Sequence, residues 1–508
     1  MNPADNLLFG AAASRKIDVD AQAHLGITGF ALMERAAAAI FSSVLRRFPG
    51  VRGLTLFCGK GNNAGDAYLV AQLARTFGLH TQVLALVPPE ELDGDALRAY
   101  QFARQAGVLV EAAGDQPFTG DVIVDGLLGT GLRGAPRAPF AEIIGRINNA
   151  RLPVVSVDTP SGVDADTGTV VDIAVKADVT VSLITRKIGL YTGQGIDYAG
   201  EREWVDLGVP YQAYGTAGVP RLFYEALRLP LLQANTYKHR QGHVVVIGGD
   251  LTMPGAVAMA AHACLRVGAG LVSALTRPEH VTALVTRTPE VMVQGFSVAM
   301  QAPALELIKR ANMLVLGPGL GRGNWGQALY ACAQASDKPT LLDADGLYWL
   351  AQSGRWQGGP LVITPHIAEA ARLLDTTVEH IQSDRLGAAQ ALAERFACAG
   401  VLKGAGSVVF DSSGAHLSIC AHGNPGMATA GMGDVLSGVV GGLAAQALNQ
   451  MPAQIYSALR FGVALHSATA DKAARLVGMR SLMATDVISE LPQLLLEYEG
   501  AENTTQFT

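Results

Sequence analysis

"GNPGMATAGMGDVLSG", residues 423–438, is a glycine-rich turn running into an apolar helix, with one carboxylate, Asp434, where that helix begins. Turns of this kind aim backbone N–H groups at a helix N-terminus and hold phosphates. A carboxylate at that place should repel a phosphate, which raises the question of what it is for. It suits a base that takes the proton of a hydroxyl attacking phosphorus, while the N–H groups of "TAGMG" stabilise the group in transfer. The helix dipole favours the ionised form. The plain alternative is an ordinary first-turn aspartate.

Outward from this stretch the chain alternates β-branched runs with helical periods, which predicts α/β architecture with parallel sheets. In the first half, 54–58, 81–87, 121–128, 153–158 and 179–184 read as strands, and 30–48, 67–77 and 139–147 as helices. The pattern lapses over 208–240, rich in proline and glycine, where the linker is expected. It restarts with strand candidates at 243–249, 271–276, 313–317, 339–345, 360–366 and 400–404, and a hairpin over 407–420. The domains are therefore expected at 1–215 and 225–500.

Apolar residues make up 49% of the 508 and charged ones 16%, a balance that suits buried parallel sheets. A net charge of −6 with no long Lys/Arg run argues against nucleic acid or an anionic membrane as partner. The five cysteines are scattered, without zinc or disulfide spacing, and fit reduced thiols in the cytoplasm. The N-terminus lacks the basic region of a signal peptide, and the longest apolar stretch is broken by His262, Arg266 and glycines.

Ligands of open α/β sheets sit beyond the carboxyl ends of the strands. After the first strand comes "CGKGNNAGDAY" (58–68), whose glycines free backbone N–H groups and whose Asn62, Asn63 and Asp66 add polar contacts. "GLLGTGLRGAPR" (126–137) matches G-x-G-x-x-G by letter, but Pro136 and Pro139 follow where a helix should start. It reads as a loop, either structural or holding phosphate through N–H groups and Arg133. "TPSGVDADTG" (159–168) follows Asp158 and carries Ser161. Topology brings Asn63, Asp125, Asp158 and Ser161 to one edge, an oxygen set suited to a hard cation or polar substrate. With no nucleophile elbow, acid–base chemistry fits best.

In the second half, "GPGLGRG" (317–323) and "LLDADG" (341–346) end strands, and Asp343 and Asp345 are expected on one strand face, Asp345 alternatively capping a helix. His366 lies just past a strand in "TPHIAEA", as a structural histidine or a ligand contact. "KGAGS" (403–407) offers lysine, glycines and serine to a nucleotide without being a Walker A loop.

Taken in order, "PGA", "GPGLG", "DADG", "TPHxxE", "KGAGS" and "AGMGDVLSG" resemble the ADP/ATP-dependent NAD(P)H-hydrate dehydratases of the ribokinase-like superfamily. "GNNAGD", "DGLLGTGLRG" and "VDTPSGVDADTG" resemble the NAD(P)H-hydrate epimerases. Together they cover nearly the whole chain and resemble the bifunctional nicotinamide-nucleotide repair enzymes. The resemblance implies an N-terminal Rossmann-like three-layer domain that interconverts R and S NAD(P)H hydrates. It implies a C-terminal ribokinase-like domain that dehydrates the S form using ADP with magnesium. It also implies potassium in the first domain, NADHX or NADPHX as substrates, and a homo-oligomer.

By motif, Asn63, Asp125 and Ser161 match potassium ligands. Asn62, Asn63, Ala64, Gly65, Asp66, Gly129, Thr130, Gly131, Leu132, Arg133, Gly134, Ala135 and Asp158 match epimerase hydrate-binding positions. Ala256, Gly319, His366 and Asp434 match hydrate-binding positions of the dehydratase, Asp434 as its base. Lys403, Gly404, Ala405, Gly406, Ser407 and Gly433 match the nucleotide site. The family's first loop usually has glycine where this chain has Ala64 and Ala67. Were the glycine at 64 needed for a positive φ, alanine would cost about 1 kcal/mol or more; were it needed for space, the methyl would crowd the substrate. The other reading of the chain is a vitamin-precursor kinase of the same superfamily carrying a non-catalytic binding domain.

Overall fold

The computed structural model describes residues 6–215, 218–223, 227, 234–299, 301–450 and 455–505. The chain forms two compact units, Met1–Pro220 and Arg221–Thr508. Of the expected linker over 208–240, residues 216–217, 224–226 and 228–233 lie outside the described residues.

The sheet of the first unit runs Val110–Ala112, His80–Ala85, Gly53–Cys58, Val122–Gly126, Val154–Val157, Val179–Leu183, Glu201–Val205, with every neighbouring pair parallel. Its central strands are buried along their length because helices cover both faces. Alternation sorts their side chains. Leu54, Leu56 and Cys58 join Val83, Val124 and Val157 under helices Gly29–Arg47 and Asn62–Thr76. Phe57, Leu84 and Ile123 point the other way, onto Ile143, Ile144 and Ile147 of Phe140–Asn149. Gly29–Arg47 is helical because Thr28 caps it, accepting from the Ala31 N–H at 3.2 Å, and because Phe30, Met33, Ala37, Ile40 and Val44 form one apolar stripe. The strand order reverses between Gly53–Cys58 and Val122–Gly126, and a crevice opens at such a point.

The second unit orders its parallel strands Met292–Gly295, Leu271–Thr276, His243–Ile247, Met313–Leu316, Thr340–Leu342, Leu361–Ile363, Ala399–Leu402. The expected hairpin then adds Val408–Phe410 and Leu417–Cys420 antiparallel. Helices Pro254–Arg266, Met432–Gln450, Ile455–Val477 and Ala484–Thr505 bury one face, on Val244, Val246, Val315, Leu341 and Val401. Here too the order reverses, between His243–Ile247 and Met313–Leu316. The five cysteines are free and buried.

Two local expectations change. The turn after Gly53–Cys58 is shorter than its glycines suggest: Gly61 is the N-cap and Asn62 already begins the helix. Asp343 and Asp345 do not share a strand face, because the strand stops at Leu342 and Asp345 opens the helix Asp345–Ser353.

Candidate active sites

A cleft of about 580 Å³ lies at the switch point of the first unit, lined by Lys60–Asn63 and Leu127–Arg133. Asp158, at the end of Val154–Val157, takes φ +64 and lines this cleft. It forms an ion pair with Lys187, which is 2% exposed. The Lys187 ammonium also donates to the carbonyls of Leu183 and Thr185, each at 3.0 Å. Asp66, almost wholly buried, and Asp18, from the helix Ala11–Leu25, face the same space. Burial, with the negative charges of Asp158 and Asp18, holds the Asp66 carboxyl well above the usual range.

Behind the cleft, Asp125 is fully buried. Its carboxylate accepts from Ser161 Oγ at 2.6 Å, Ser156 Oγ at 2.8 Å and Ser161 N–H at 2.9 Å. Burial pushes its pKa up, partly offset by those donors, and among the described residues no lysine or arginine pairs with it. The Asn63 amide donates to the carbonyls of Val157 and Leu128 at 2.8 and 3.3 Å, and the Leu128 carbonyl also accepts from Ser161 Oγ at 3.2 Å. A buried carboxylate without a cationic side chain, among oxygen donors, fits a cation such as potassium.

In the second unit, Asp343 follows the strand Thr340–Leu342 and is 1% exposed. Lys403 Nζ donates to it at 2.7 Å, and Thr364 and Ser437 hydroxyls donate at 2.9 Å each. Burial alone would raise the Asp343 pKa, but Lys403 and the hydroxyls outweigh it and lower it. Burial disfavours the Lys403 ammonium, yet Asp343 and Glu369 raise its pKa. Gly433 sits directly over this pair: a Cβ there would lie 3.4 Å from both Asp343 Oδ2 and Lys403 Nζ. Asp434, in the first turn of Met432–Gln450, accepts no hydrogen bond among the described residues. Burial, then repulsion from Asp343, pushes its carboxyl up to about 7. These outweigh the helix dipole, which favours ionisation.

The loop Lys403–Ser407 turns through Gly404 (φ +140) and Gly406 (φ +62). Buried Arg385 supports it from beneath, donating to the carbonyls of Leu402 and Gly406 at 3.4 Å. His366 caps the helix Ile367–Leu374: its Nδ1 accepts from the Ala368 and Glu369 N–H groups at 3.1 and 3.3 Å. Burial and Lys403 lower its pKa, so the neutral ring carries its hydrogen on Nε2 and offers a donor. Gly319 (φ +59) and Ala256 meet across the switch point, where a Cβ on Gly319 would come within 3.2 Å of the Ala256 methyl.

A family model described as NAD(P)H-hydrate dehydratase matches residues 244–493, and one described as YjeF-related protein N-terminus matches 29–189. A bifunctional NAD(P)H-hydrate repair enzyme of Coxiella burnetii is 41% identical over 92% of this chain and 96% of its own length. Its counterpart from Vibrio cholerae is 41% identical over 94% and 95%. The chain belongs to the bifunctional NAD(P)H-hydrate repair enzyme family. It is an enzyme of two parts, an epimerase and a dehydratase, and the lone-kinase reading is not favoured.

Of the epimerase positions matched by motif, Asn62, Asn63, Asp66, Gly129–Arg133 and Asp158 line the cleft of the repair enzyme. Ala64 and Gly65 face the core instead, Gly65 against Met33 and Ala96. Gly134 and Ala135 continue the exposed loop. In the dehydratase, Lys403, Gly433 and Asp434 converge on Asp343.

Sequence reasoning missed Lys187, Asp18 and Arg385, and met Glu369 only as the last letter of "TPHxxE". Lys187 had a signal, a lone lysine just past a strand at the active edge. Asp18 had none, since it sits in a helix without a motif.

Proposed function

We propose that the second unit dehydrates the S hydrate by phosphorylating its 6-hydroxyl. Asp434 takes the hydroxyl proton as the oxygen attacks the terminal phosphorus of ADP, supplied as its magnesium complex, and AMP leaves. Lys403–Ser407 and Gly433 hold the nucleotide, and the N–H groups of 429–433 carry the charge of the transferring group. The C6–O bond then breaks with its electron pair leaving as phosphate, N1 forms C6=N1, and loss of the C5 proton restores the dihydropyridine. Ala256, Gly319 and His366, a donor through Nε2–H, bind the hydrate. The observation that carries this reading is an uncommitted carboxyl, Asp434, at a glycine-rich helix N-terminus beside the Lys403–Asp343 pair.

The first unit interconverts the epimers in the cleft around Asp158. Asn63, Asp125 and Ser161 would hold potassium, whose charge balances Asp125 and stiffens the loops it joins.

The test supplies mixed NADHX epimers with and without ADP or ATP and follows the near-ultraviolet absorbance of restored NADH. Full recovery is expected with a nucleotide. Recovery that stops once the S form is consumed would remove the epimerase reading. No nucleotide-dependent recovery would remove the dehydratase reading. The two nucleotide arms decide the donor.

A further inference from the structure

We propose that Asp18 is the acid of the epimerase, protonating the 6-hydroxyl as it leaves, with Asp158 taking the proton of the water that returns. The inference rests on the epimerase reading and names a residue outside the 29–189 segment matched by the family model.

Epimerisation at C6 breaks a C–O bond to a poor leaving group, so the cleft has to supply a proton. Lys187 is the obvious cation, but its three N–H bonds are already spent on Asp158 and the carbonyls of Leu183 and Thr185. Arg15, Lys60 and Arg133 also line the cleft but are exposed, so the buried or part-buried candidates are carboxylic acids. Three carboxyls, Asp18, Asp66 and Asp158, face this one ammonium in one cleft wall, so the set keeps at least one proton near neutrality. Lys187 claims Asp158 in direct contact, which leaves Asp18 and Asp66 to carry it. Neither carboxyl makes a hydrogen bond among the described residues; what separates them is access, since Asp66 is 6% exposed whereas Asp18 is only part-buried and open to solvent that can reprotonate it.

Its placement is built in. Ser14 bonds Thr185 at 2.8 Å, between two hydroxyls next to the Lys187 loop. Asp18, four residues on, lies on the same helix face. Burial, together with the charge of Asp158, raises its carboxyl to about 6 against the pull of Lys187 and Arg15.

The step balances. The C6–O electron pair leaves with oxygen, which takes the Asp18 proton and departs as water, while the N1 lone pair forms C6=N1. A water then adds to the other face of C6, N1 recovers its pair, and Asp158 accepts the surplus proton. Solvent returns a proton to part-buried Asp18 and takes the surplus one from Asp158, so the site is restored and the product is the other epimer.

The experiment uses the full chain without nucleotide, so that the dehydratase is silent, and follows the R and S forms by chromatography across pH. Wild-type kcat/KM for epimerisation is expected to fall as pH rises through about 6. Asp18→Asn is expected to lower it by about 10²-fold or more and to abolish that limb, with dehydration of the S form unchanged. Asp18→Glu should restore a limb, displaced along the pH axis, which decides the matter even if the asparagine variant folds poorly. A rate near wild type in Asp18→Asn overturns the proposal, and so does a slow variant that keeps the wild-type limb. A wild-type chain that does not interconvert the epimers removes the epimerase reading itself.

Discussion

The two sites repeat one device. Each places an aspartate just past a parallel strand against a lysine, Asp158 with buried Lys187 and Asp343 with part-buried Lys403. Each leaves a further carboxyl without a hydrogen bond beside that pair, held up to about 6 at Asp18 and about 7 at Asp434. What differs is the surroundings. Asp434 stands at a helix N-terminus among glycines, with N–H groups available to an anion, whereas Asp18 faces a cleft walled by side chains. A raised carboxyl beside a fixed ion pair thus serves opposite proton transfers: base where a phosphoryl group has to be accepted, acid where a hydroxyl has to leave.

The sharpest way to separate the sites is Asp434→Asn. Dehydration should fall by about 10²–10⁴-fold while epimerisation is untouched, measured by NADH recovery and by epimer chromatography on the same preparation. Near-normal dehydration would mean that Asp434 is not the base. Next come the lysines. Lys187→Met strands Asp158, which keeps one backbone donor, Leu183 N–H at 3.0 Å. Loss of one partner of a buried pair costs about 3–5 kcal/mol, so the denaturant midpoint of the first unit should drop sharply. Lys403→Met should unfold its own unit less readily, because Asp343 retains the Thr364 and Ser437 hydroxyls. Equal midpoint losses would break that part of the comparison.

The pH profiles should diverge as well. Asp434 works ionised, and burial has raised it to about 7. Dehydration kcat/KM should therefore rise about tenfold per pH unit below that point and level off above it. The epimerase should move the other way, losing rate as Asp18 ionises. Profiles that rise together would show that both carboxyls act as bases.

How far these sites could be read from the chain depended on whether a residue sits within a local pattern. The β-branched runs gave the central strands, because both faces are buried and the runs are continuous. The edge strands Val110–Ala112 and Glu201–Val205 escaped, being short or charged, with little to distinguish them from loops. Asp434 and Lys403 announced themselves through neighbouring glycines. Asp18 did not: Ser14 and Thr185, which tie its helix to the Lys187 loop, are 171 residues apart, and no local period encodes such a contact. Arg385 is similar, its role set by carbonyls of a loop beyond the next strand.

The smallest expected effect concerns Ala64, where the usual family glycine invited two explanations. The structure removes both. Ala64 lies in the first turn of Asn62–Thr76 and is absent from the positive-φ residues, so no left-handed backbone strains it. Its methyl is fully buried in the core under the sheet and does not line the cleft, and Ala67 likewise packs inward, against Gly126. Ala64→Gly should therefore leave epimerisation unchanged while lowering stability by about 1 kcal/mol, since glycine in a helix gives up chain entropy and here also buried packing. Chromatographic rates and denaturant midpoints on the same variant check both halves. A faster epimerase would show that the methyl reaches the substrate after all, and the parallel between the two sites would then need a steric term in only one of them.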